Sequence, residues 1–384
     1  MTFRRPKKLT SPRGKPTSRR ANSLFYPKNT FGHRALFLSK LTIGVAILLS
    51  ACTVITAFAK RPQDPYDRRY KIETVRFSGG EGVTLAGELT MPQAGGPFKA
   101  VVLISGSGPQ DRNEELAGHR PFLVLSDYLT RAGFAVLRYD DRGFADSSGD
   151  HETADLYDFA DDAAGAYRYL ESRPEIDATA IGYIGHSEGG YIAPVAARQT
   201  NPSFMVFLAG AARPLLPDVI VTQTTDVLRA EGVGQEVIDL TVAQYEEGSA
   251  ILARAAPLAD IRTELDDYLV TQGIGRADRT EFLDQFATRW GVSYAHHDPR
   301  MELRALTNPV LALFGEKDLQ VSAKEEAPVM QAALRHPRSE VQIMTGMNHL
   351  FQPSQTGRLS EYSQIETTMS VDVMNRISAW IDGI

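Results

Sequence analysis

The sequence predicts an α/β fold in which a mostly parallel, doubly wound sheet is interrupted by a helical insertion. Two observations indicate the sheet. A continuous apolar run at 99–105 (KAVVLIS) is typical of a strand buried on both faces, and strand and helix patterns then alternate as far as residue 208. A third observation indicates the insertion, because this alternation stops between 213 and 299 and resumes at 309. Alternating strands and helices build a parallel sheet with helices on both faces.

The predicted elements begin with two strands at 71–77 and 83–90, joined by the glycine-rich sequence GGEG as a β-hairpin. After the strand at 99–105, the patterns predict a helix at 121–132, a strand at 134–139, a helix at 156–172, a strand at 180–184, a helix at 191–198 and a strand at 204–208. Right-handed crossovers bring the ends of parallel strands to one edge of the sheet, so we expect the functional site at that edge.

The insertion at 213–299 is polar, and its apolar residues are spaced as in helices. We expect it to form a helical cap over the site. The sheet then resumes with a strand at 309–314, a helix near 324–334, a strand at 341–344 and a closing helix at 371–381. The predicted organisation is therefore a first core part at 70–212, the cap at 213–299 and a second core part at 300–384.

The amino-terminal segment is strongly basic, whereas the rest of the chain is acidic. Residues 1–40 contain eleven Lys or Arg and no acidic residue, which leaves 30 basic against 47 acidic residues for 41–384. A body this acidic argues against a nucleic-acid partner. Residues 41–59 form an uncharged apolar run of nineteen residues, long enough to cross a bilayer as a helix.

Basic charge before this run and an acidic body after it predict export, with the body outside the cytoplasm. Three fates of the run at 41–59 remain open: cleavage after Ala59 as a signal peptide, lipidation of Cys52 in a lipobox-like sequence (LSAC), or an uncleaved membrane anchor. Cys52 is the only cysteine, so the body has no disulfide, no cysteine-based zinc site and no thiol nucleophile.

The sequence GYIGHSEGG at 182–190 places Ser187 between two glycines, directly after one predicted strand and before a predicted helix. This context is typical of a nucleophile turn, in which a sharp strand-to-helix turn lifts the serine oxygen above the edge of the sheet. Gly185 and Gly189 would relieve the crowding of such a turn. The alternative is an ordinary glycine-rich turn, so the interpretation depends on finding a base, an acid and an oxyanion hole elsewhere.

A serine nucleophile needs an imidazole to take its proton and a carboxylate to orient the imidazole. Two histidines follow the point where the sheet resumes. His336 lies in a basic segment where we expect a solvated residue, whereas His349 lies in the loop after the last strand and is the predicted base. The loop after the preceding strand (GEKD) offers Asp318 as the predicted acid and Glu316 as the alternative. All three predicted catalytic residues therefore follow strand ends.

The predicted oxyanion hole combines two backbone N–H groups, from Glu188 directly after the nucleophile and from Ser107 in the loop after the strand at 99–105. Small residues in this loop (SGSGP) allow the backbone to approach a substrate. A phosphate-binding loop is the alternative interpretation, but no Gly-Lys-Ser/Thr sequence follows it.

Five short sequences carry a family resemblance: GSGPQDRN, DDRG, GHSEGG, FGEKD and MNHLFQP. Together they resemble bacterial serine carboxylesterases of the α/β-hydrolase superfamily, closest to the serine aminopeptidase-like branch. The resemblance covers about 70–384, most loosely across the insertion. It implies an α/β-hydrolase fold, ester hydrolysis through an acyl-enzyme and no cofactor, and Ser187, Asp318 and His349 match its triad motifs. The chain departs from it at Ala145, where relatives commonly have glycine, in a loop that we expect to be structural.

Other polar residues are expected to be structural. The sequence His296-His297-Asp298 matches no common metal-site spacing, and we expect a surface loop there and no bound metal. His119 and the pair Asp111-Arg112 are expected to pack or pair locally.

The sequence thus predicts an exported serine carboxylesterase that acts on small-molecule esters of small or short-chain acyl groups. The alternative is a serine peptidase or aminopeptidase with the same triad. A non-catalytic envelope binding protein would show a missing triad residue, and none is missing. No nucleic-acid partner is expected, and contact with a membrane is expected only through 41–59.

Overall fold

A computed structural model describes residues 61–384. Its centre is an eight-stranded sheet with the order β1-β2-β4-β3-β5-β6-β7-β8. The strands are β1 Lys71–Ser78, β2 Thr84–Met91, β3 Phe98–Ile104, β4 Ala135–Tyr139, β5 Ile176–His186, β6 Phe204–Leu208, β7 Val310–Gly315 and β8 Glu340–Met344. β2 pairs antiparallel with β1 and with β4, and every other neighbouring pair is parallel. The predicted α/β class and mostly parallel sheet are confirmed.

The apolar runs form the buried centre of this sheet. Every residue of β4, β6 and β7 is buried, and β3 is buried from Ala100 to Ile104. The prediction for 180–184 was too short, because β5 begins at Ile176 and continues through His186. Residues 177–179 near its start are half-buried or exposed and interrupt the apolar pattern, although Ile176 is buried and pairs with Phe98 of β3.

The helices of the core are α1 Pro121–Arg131, α2 Leu156–Glu171, α3 Gly189–Ala196, α10 Ala323–Ala333, α11 Leu359–Tyr362 and α12 Val371–Asp382. α3 begins two residues earlier than predicted, because the turn after β5 runs directly into it: the N–H of Tyr191 already bonds the carbonyl of Glu188. Pro194 consequently lies inside the helix and not near its start.

Between β6 and β7 the described chain is helical. It comprises a helical turn at Leu215–Val219 and the helices α4 Ile220–Ala230, α5 Gln235–Leu252, α6 Leu258–Thr271, α7 Arg276–Phe286, α8 Arg289–Ala295 and α9 Pro299–Ala305. We call residues 215–305 the helical insertion. A series of aromatic rings packs inside the insertion, with no more than 6.3 Å between the centroids of successive rings. The rings are those of Tyr245, Phe282, Phe286, Trp290 and Tyr294. The insertion therefore has apolar packing of its own.

The first described residues are hydrogen-bonded to residues near the carboxyl end of the chain. The guanidinium of Arg61 donates to the carbonyls of Gly118 and Ile365, and the Gln63 side chain bonds the backbone of Met369. Arg61, the first described residue, therefore already belongs to the folded part. Among residues 61–384, no helix combines the length and apolarity needed to cross a membrane. The basic segment at 1–40 and the apolar run at 41–59 lie outside the described residues.

Candidate active site

Ser187 lies in the turn between β5 and α3 and adopts the left-handed region, with φ of +50°. Such a backbone costs a residue with a side chain roughly 1 kcal/mol or more, so the surrounding structure must hold it. Two hydrogen bonds do so: the N–H of Ser187 donates to the carbonyl of Leu208 at 2.9 Å, and the N–H of Gly190 donates to the carbonyl of Ser187 at 2.9 Å. The end of β6 thus supports the strained turn.

The two glycines around Ser187 are required by close backbone contacts. A Cβ at Gly185 would lie 2.2 Å from the carbonyl oxygen of Gly189, and a Cβ at Gly189 would lie 2.4 Å from the carbonyl oxygen of Ile104. Neither distance is compatible with any side chain. The turn, the helix that follows it and the end of β3 can therefore pack together only with glycine at both positions.

His349 and Asp318 lie on the loops after β8 and β7, and both are buried. Nδ1 of His349 donates to Oδ2 of Asp318 at 2.7 Å. The other oxygen, Oδ1, accepts the N–H groups of Gln320 and Val321 at 2.7 and 2.9 Å. Because the carboxylate is held at both oxygens, it fixes the imidazole with the proton on Nδ1 and leaves Nε2 able to accept a proton.

Glu316, the alternative acid, has a different contact. Its Oε2 accepts the N–H of Gly346 at 2.7 Å, in the turn that follows β8. The carboxylate bonded to His349 is therefore that of Asp318.

The loop after β3 lies against the turn of Ser187. A Cβ at Gly106 would be 3.3 Å from the Cβ of Ser187, so the two backbones are in close contact. The N–H of Gly106 is already used, since it donates to Oε1 of Glu114 at 2.7 Å. Within residues 61–384, the N–H groups of Ser107 and Glu188 donate no hydrogen bond to a protein acceptor. Both predicted oxyanion donors are thus unengaged.

The sequence analysis assigned a role to the backbone N–H of Glu188 but none to its side chain. It is only 5% exposed, and its Oε1 accepts the indole N–H of Trp290 in α8 at 2.7 Å. Burial raises the pKa of the Glu188 carboxyl, and the hydroxyl of Tyr294, the indole N–H and the hydroxyl of Ser107 oppose that rise only in part. The helical insertion therefore contacts the residue directly after Ser187.

A buried pair formed by His186 and Glu114 was also missed. Their side chains are bonded at 2.8 Å, and the ring of His186 lies 4.8 Å from that of His349, centroid to centroid. This contact brings the turn of Ser187 next to the loop of the predicted base. A polar residue at the buried end of a strand pattern was the one signal in the sequence that could have indicated His186.

Two spaces adjoin the site. A small cavity of about 20 Å³, lined by Glu188, Gly108 and Ile192 among others, lies beside the loop of Ser107. A wider groove of about 1270 Å³, open to solvent, runs between that loop and α7, with Pro109 and Thr280 in its lining. The insertion thus forms one wall of the groove.

The remaining predicted residues are structural. His119 is buried and bonds the hydroxyl of Thr368 and the carbonyl of Tyr362, and Arg112 pairs with Asp140. The expectation of a surface loop at 296–298 was wrong for His297, which is buried next to the ring of Tyr191, because the segment connects two packed helices. Among residues 61–384, no group of three His, Cys, Asp or Glu side chains is arranged to hold a metal.

Ala145, the departure from the family pattern, also has a left-handed backbone, with φ of +44°. Glycine adopts this conformation without strain, which explains why glycine suits the position. The loop is structural in its contacts, since the N–H of Asp146 bonds Asp140.

A sheet of this order, with a serine in a strained turn after its fifth strand and a His–Asp pair after its last two strands, defines the α/β-hydrolase class. The family described as Serine aminopeptidase, S33 matches residues 121–352, and the chain belongs to that family. The predicted family and fold are thereby confirmed.

Relatives with curated names include an esterase and a peptidase. The chain is 26% identical over 266 residues to the Esterase EstD of Thermotoga maritima, a match that covers 69% of this chain and 58% of that protein. It is 33% identical over 149 residues to the human Dipeptidyl peptidase 8, covering 36% of this chain and 16% of that protein. The chain therefore spans less than two thirds of the length of either relative.

Solved structures share the fold. The esterase Pf2001 of Pyrococcus furiosus superposes with a TM-score of 0.52 at 13% identity, over 85% of this chain and 98% of that one. The α/β hydrolase GrgF from a Penicillium species superposes with a TM-score of 0.51 at 16% identity, over 82% of this chain and 98% of that one.

Proposed function

We propose that this protein is a serine carboxylesterase that cleaves esters of small or short-chain acyl groups through an acyl-enzyme. The observation that carries the proposal is the His349–Asp318 hydrogen bond of 2.7 Å, on two loops that follow adjacent strands and beside the turn of Ser187. Membership of the family supports hydrolysis by a serine nucleophile, and the similarity to EstD supports esters as substrates.

In the proposed mechanism, Nε2 of His349 takes the proton of Ser187 as the serine oxygen attacks the ester carbonyl. Asp318 stays ionised and stabilises the imidazolium that forms. The N–H groups of Ser107 and Glu188 bind the oxyanion of the tetrahedral intermediate, and each such donor accelerates this step by roughly 10² to 10³-fold. The intermediate collapses as His349 returns the proton to the leaving alcohol, which produces the acyl-enzyme.

The second half of the reaction uses the same groups in reverse. Water replaces the alcohol, gives a proton to His349 and attacks the acyl carbonyl. The second tetrahedral intermediate expels Ser187, which regains its proton, and a carboxylic acid leaves. No cofactor or metal is needed for either step.

The size of the spaces supports a small acyl group. The cavity beside the loop of Ser107 measures only about 20 Å³, little more than the space of one water molecule, so it has no room for a long acyl chain. The solvent-open groove along α7 is large enough for the more variable alcohol part of an ester.

A serine peptidase or aminopeptidase is the second candidate. The family description and the similarity to Dipeptidyl peptidase 8 support it, and so does the lining of the open groove. Its lining holds one guanidinium, that of Arg276, and an excess of negative charge that would attract the protonated amine of a peptide terminus, from the carboxylates of Asp150, Glu152, Glu281 and Asp284. A non-catalytic binding protein has less support, because it would not require an oriented imidazole.

One substrate panel separates these candidates. p-Nitrophenyl esters of increasing acyl length are compared with aminoacyl p-nitroanilides at equal enzyme concentration. The proposal requires kcat/KM to be highest for the short esters and to fall as the acyl chain lengthens. A kcat/KM for an anilide above that of every ester would establish the peptidase, and no turnover of either class would establish a binding protein.

We also propose that the protein is exported, with residues 41–59 as signal peptide, lipoprotein signal or anchor and the acidic body in the cell envelope. The charge asymmetry around this run supports the orientation. Amino-terminal sequencing from the native host tests it: a chain starting at Lys60, a blocked Cys52 or an intact basic segment in the membrane fraction would each identify one fate. Full-length protein in the soluble cytoplasmic fraction would contradict export.

A further inference from the structure

The triad leaves unused a buried pair of titratable side chains next to the site. His186 is 6% exposed and Glu114 is 3% exposed. Nδ1 of His186 lies 2.8 Å from Oε1 of Glu114, and its Nε2 lies 3.1 Å from the backbone carbonyl oxygen of His349. A buried ion pair is costly to desolvate, so its place beside the site requires an explanation.

The contacts of His186 indicate which of its ring nitrogens carry hydrogen. A backbone carbonyl can only accept, so Nε2 carries a hydrogen. Oε1 of Glu114, which accepts the N–H of Gly106 at 2.7 Å, also lies 2.8 Å from Nδ1 and can accept a second hydrogen there. These two acceptors suit a ring that donates at both nitrogens, an imidazolium paired with a carboxylate.

The charges around the ring agree with this assignment. Burial lowers the pKa of His186, but the carboxylate of Glu114 and the more distant one of Asp318 act in the opposite direction. Their combined effect is larger than that of burial, so the pKa of His186 is raised. The other titratable group that faces the ring is the imidazole of His349, at 4.8 Å.

The pair joins the three loops of the site. Glu114 accepts the N–H of Gly106 in the loop after β3. His186 directly precedes Ser187 in the chain, and Nε2 of His186 donates to the backbone carbonyl of His349. Hydrogen bonds to charged donors are roughly twice as strong as neutral ones. Glu114 itself has a left-handed backbone, with φ of +53°, so the structure keeps a strained residue at this junction.

We propose that His186 is a positioning residue, kept as an imidazolium by Glu114, which fixes the backbone of His349 and the oxyanion loop relative to Ser187. The inference rests on the proposed serine-hydrolase function. Its consequence is that turnover depends on the charge of the pair, although neither side chain touches the substrate.

The test is Glu114→Gln, which keeps the shape of the side chain and removes its charge, with the exposed neighbour Glu115→Gln as the matched control. kcat and KM are measured for a short p-nitrophenyl ester from pH 6 to 10 and normalised to the active sites titrated with a phosphonate. We expect kcat per active site to fall roughly tenfold to a hundredfold, with KM little changed, because a small misplacement of reacting groups has effects of this size.

The pH profile distinguishes positioning from a general loss of structure. Without the Glu114 charge, burial alone acts on His186 and lowers its pKa. The alkaline loss of activity should therefore begin at a lower pH in Glu114→Gln than in the wild type and in Glu115→Gln. A wild-type kcat and alkaline limb in Glu114→Gln would refute the proposal, as would a loss of activity matched entirely by a loss of titrated sites.

If Glu114→Gln does not fold, the double variant Glu114→Gln/His186→Asn replaces it, because no unpaired buried charge remains. It should show the reduced kcat at all pH values and no alkaline limb from this pair, and wild-type kinetics would again refute the proposal. Absence of esterase activity in the wild type itself would instead contradict the proposed function.

Discussion

The indole N–H of Trp290 donates a hydrogen bond of 2.7 Å to the buried carboxyl of Glu188. Trp290 belongs to α8 of the helical insertion, and Glu188 directly follows Ser187. The insertion is thereby bonded to the turn that carries the proposed nucleophile. Its position affects the space available for substrate, because α7 of the same insertion lines the open groove.

Trp290→Phe should loosen this contact. The carboxyl of Glu188 loses its indole donor, which costs about 1–3 kcal/mol of the free energy of unfolding. We expect KM for a short ester to rise by more than kcat falls, because the groove widens while the triad keeps its own hydrogen bonds. Denaturant unfolding and steady-state kinetics measure the two effects.

Trp380→Phe is the matched control for that substitution. This substitution removes a different indole, that of the buried Trp380 on α12, which packs against the ring of Phe204 in β6. It should lower stability and leave KM unchanged. Equal changes of KM in both variants would mean that the contact with Glu188 has no specific role in binding.

Ser187→Ala should abolish ester hydrolysis and leave the fold intact. The loss of kcat should be at least about a thousandfold, as for the nucleophiles of other triads. A phosphonate or sulfonyl fluoride should label the wild type at Ser187, as peptide mass spectrometry can show. The exposed Ser172→Ala serves as control and should retain full activity. Near wild-type turnover in Ser187→Ala would refute the assignment of the nucleophile.

Asp318→Asn should reduce kcat by about 10³ to 10⁴-fold, because the amide disfavours the proton on Nδ1 of His349. Glu316→Gln should stay near wild type, since Glu316 bonds the N–H of Gly346 and not the imidazole. The two variants are compared at saturating substrate and at equal titrated sites. The reverse result, an active Asp318→Asn and an inactive Glu316→Gln, would assign the acid to Glu316.

His119 should make the stability depend on pH. Burial lowers the pKa of His119 to about 4, below the 6.5 of an ordinary histidine. Between these values the unfolded chain binds a proton that the folded chain does not, so stability is full above about pH 6.5 and falls as the pH drops towards 4. A shift of this size corresponds to about 3 kcal/mol of the free energy of unfolding.

The measurement is the free energy of unfolding of the wild type and of His119→Gln at several pH values between 4 and 7. The decrease in the free energy of unfolding between pH 6.5 and 4 should be smaller in His119→Gln than in the wild type. The control His296→Gln, at an exposed histidine, should show the decrease of the wild type. An identical pH dependence in wild type and His119→Gln would show that His119 titrates normally.

Local pattern in the sequence predicted most of the sheet, because buried parallel strands need continuous apolar runs and their ends fall at one edge. The bounds of β6 were predicted to the residue, whereas β5 was cut short where Asp177 to Thr179 are half-buried or exposed. The turn at Ser187 was predictable for the same reason: the sequence must place glycines where backbones touch, and Gly185 and Gly189 are such positions.

The sequence by itself determined the fold class, the strained serine turn and a short list of polar residues at strand ends, since these depend on neighbours along the chain. Only the tertiary structure decided which of them meet. It paired Asp318 rather than Glu316 with His349, joined His186 to Glu114, and placed Trp290 on Glu188, across 31, 72 and 102 residues of sequence. Such contacts depend on how elements far apart in the sequence pack against each other. Burial then shifts the pKa of the side chains that meet, and neither effect can be read from a local sequence pattern.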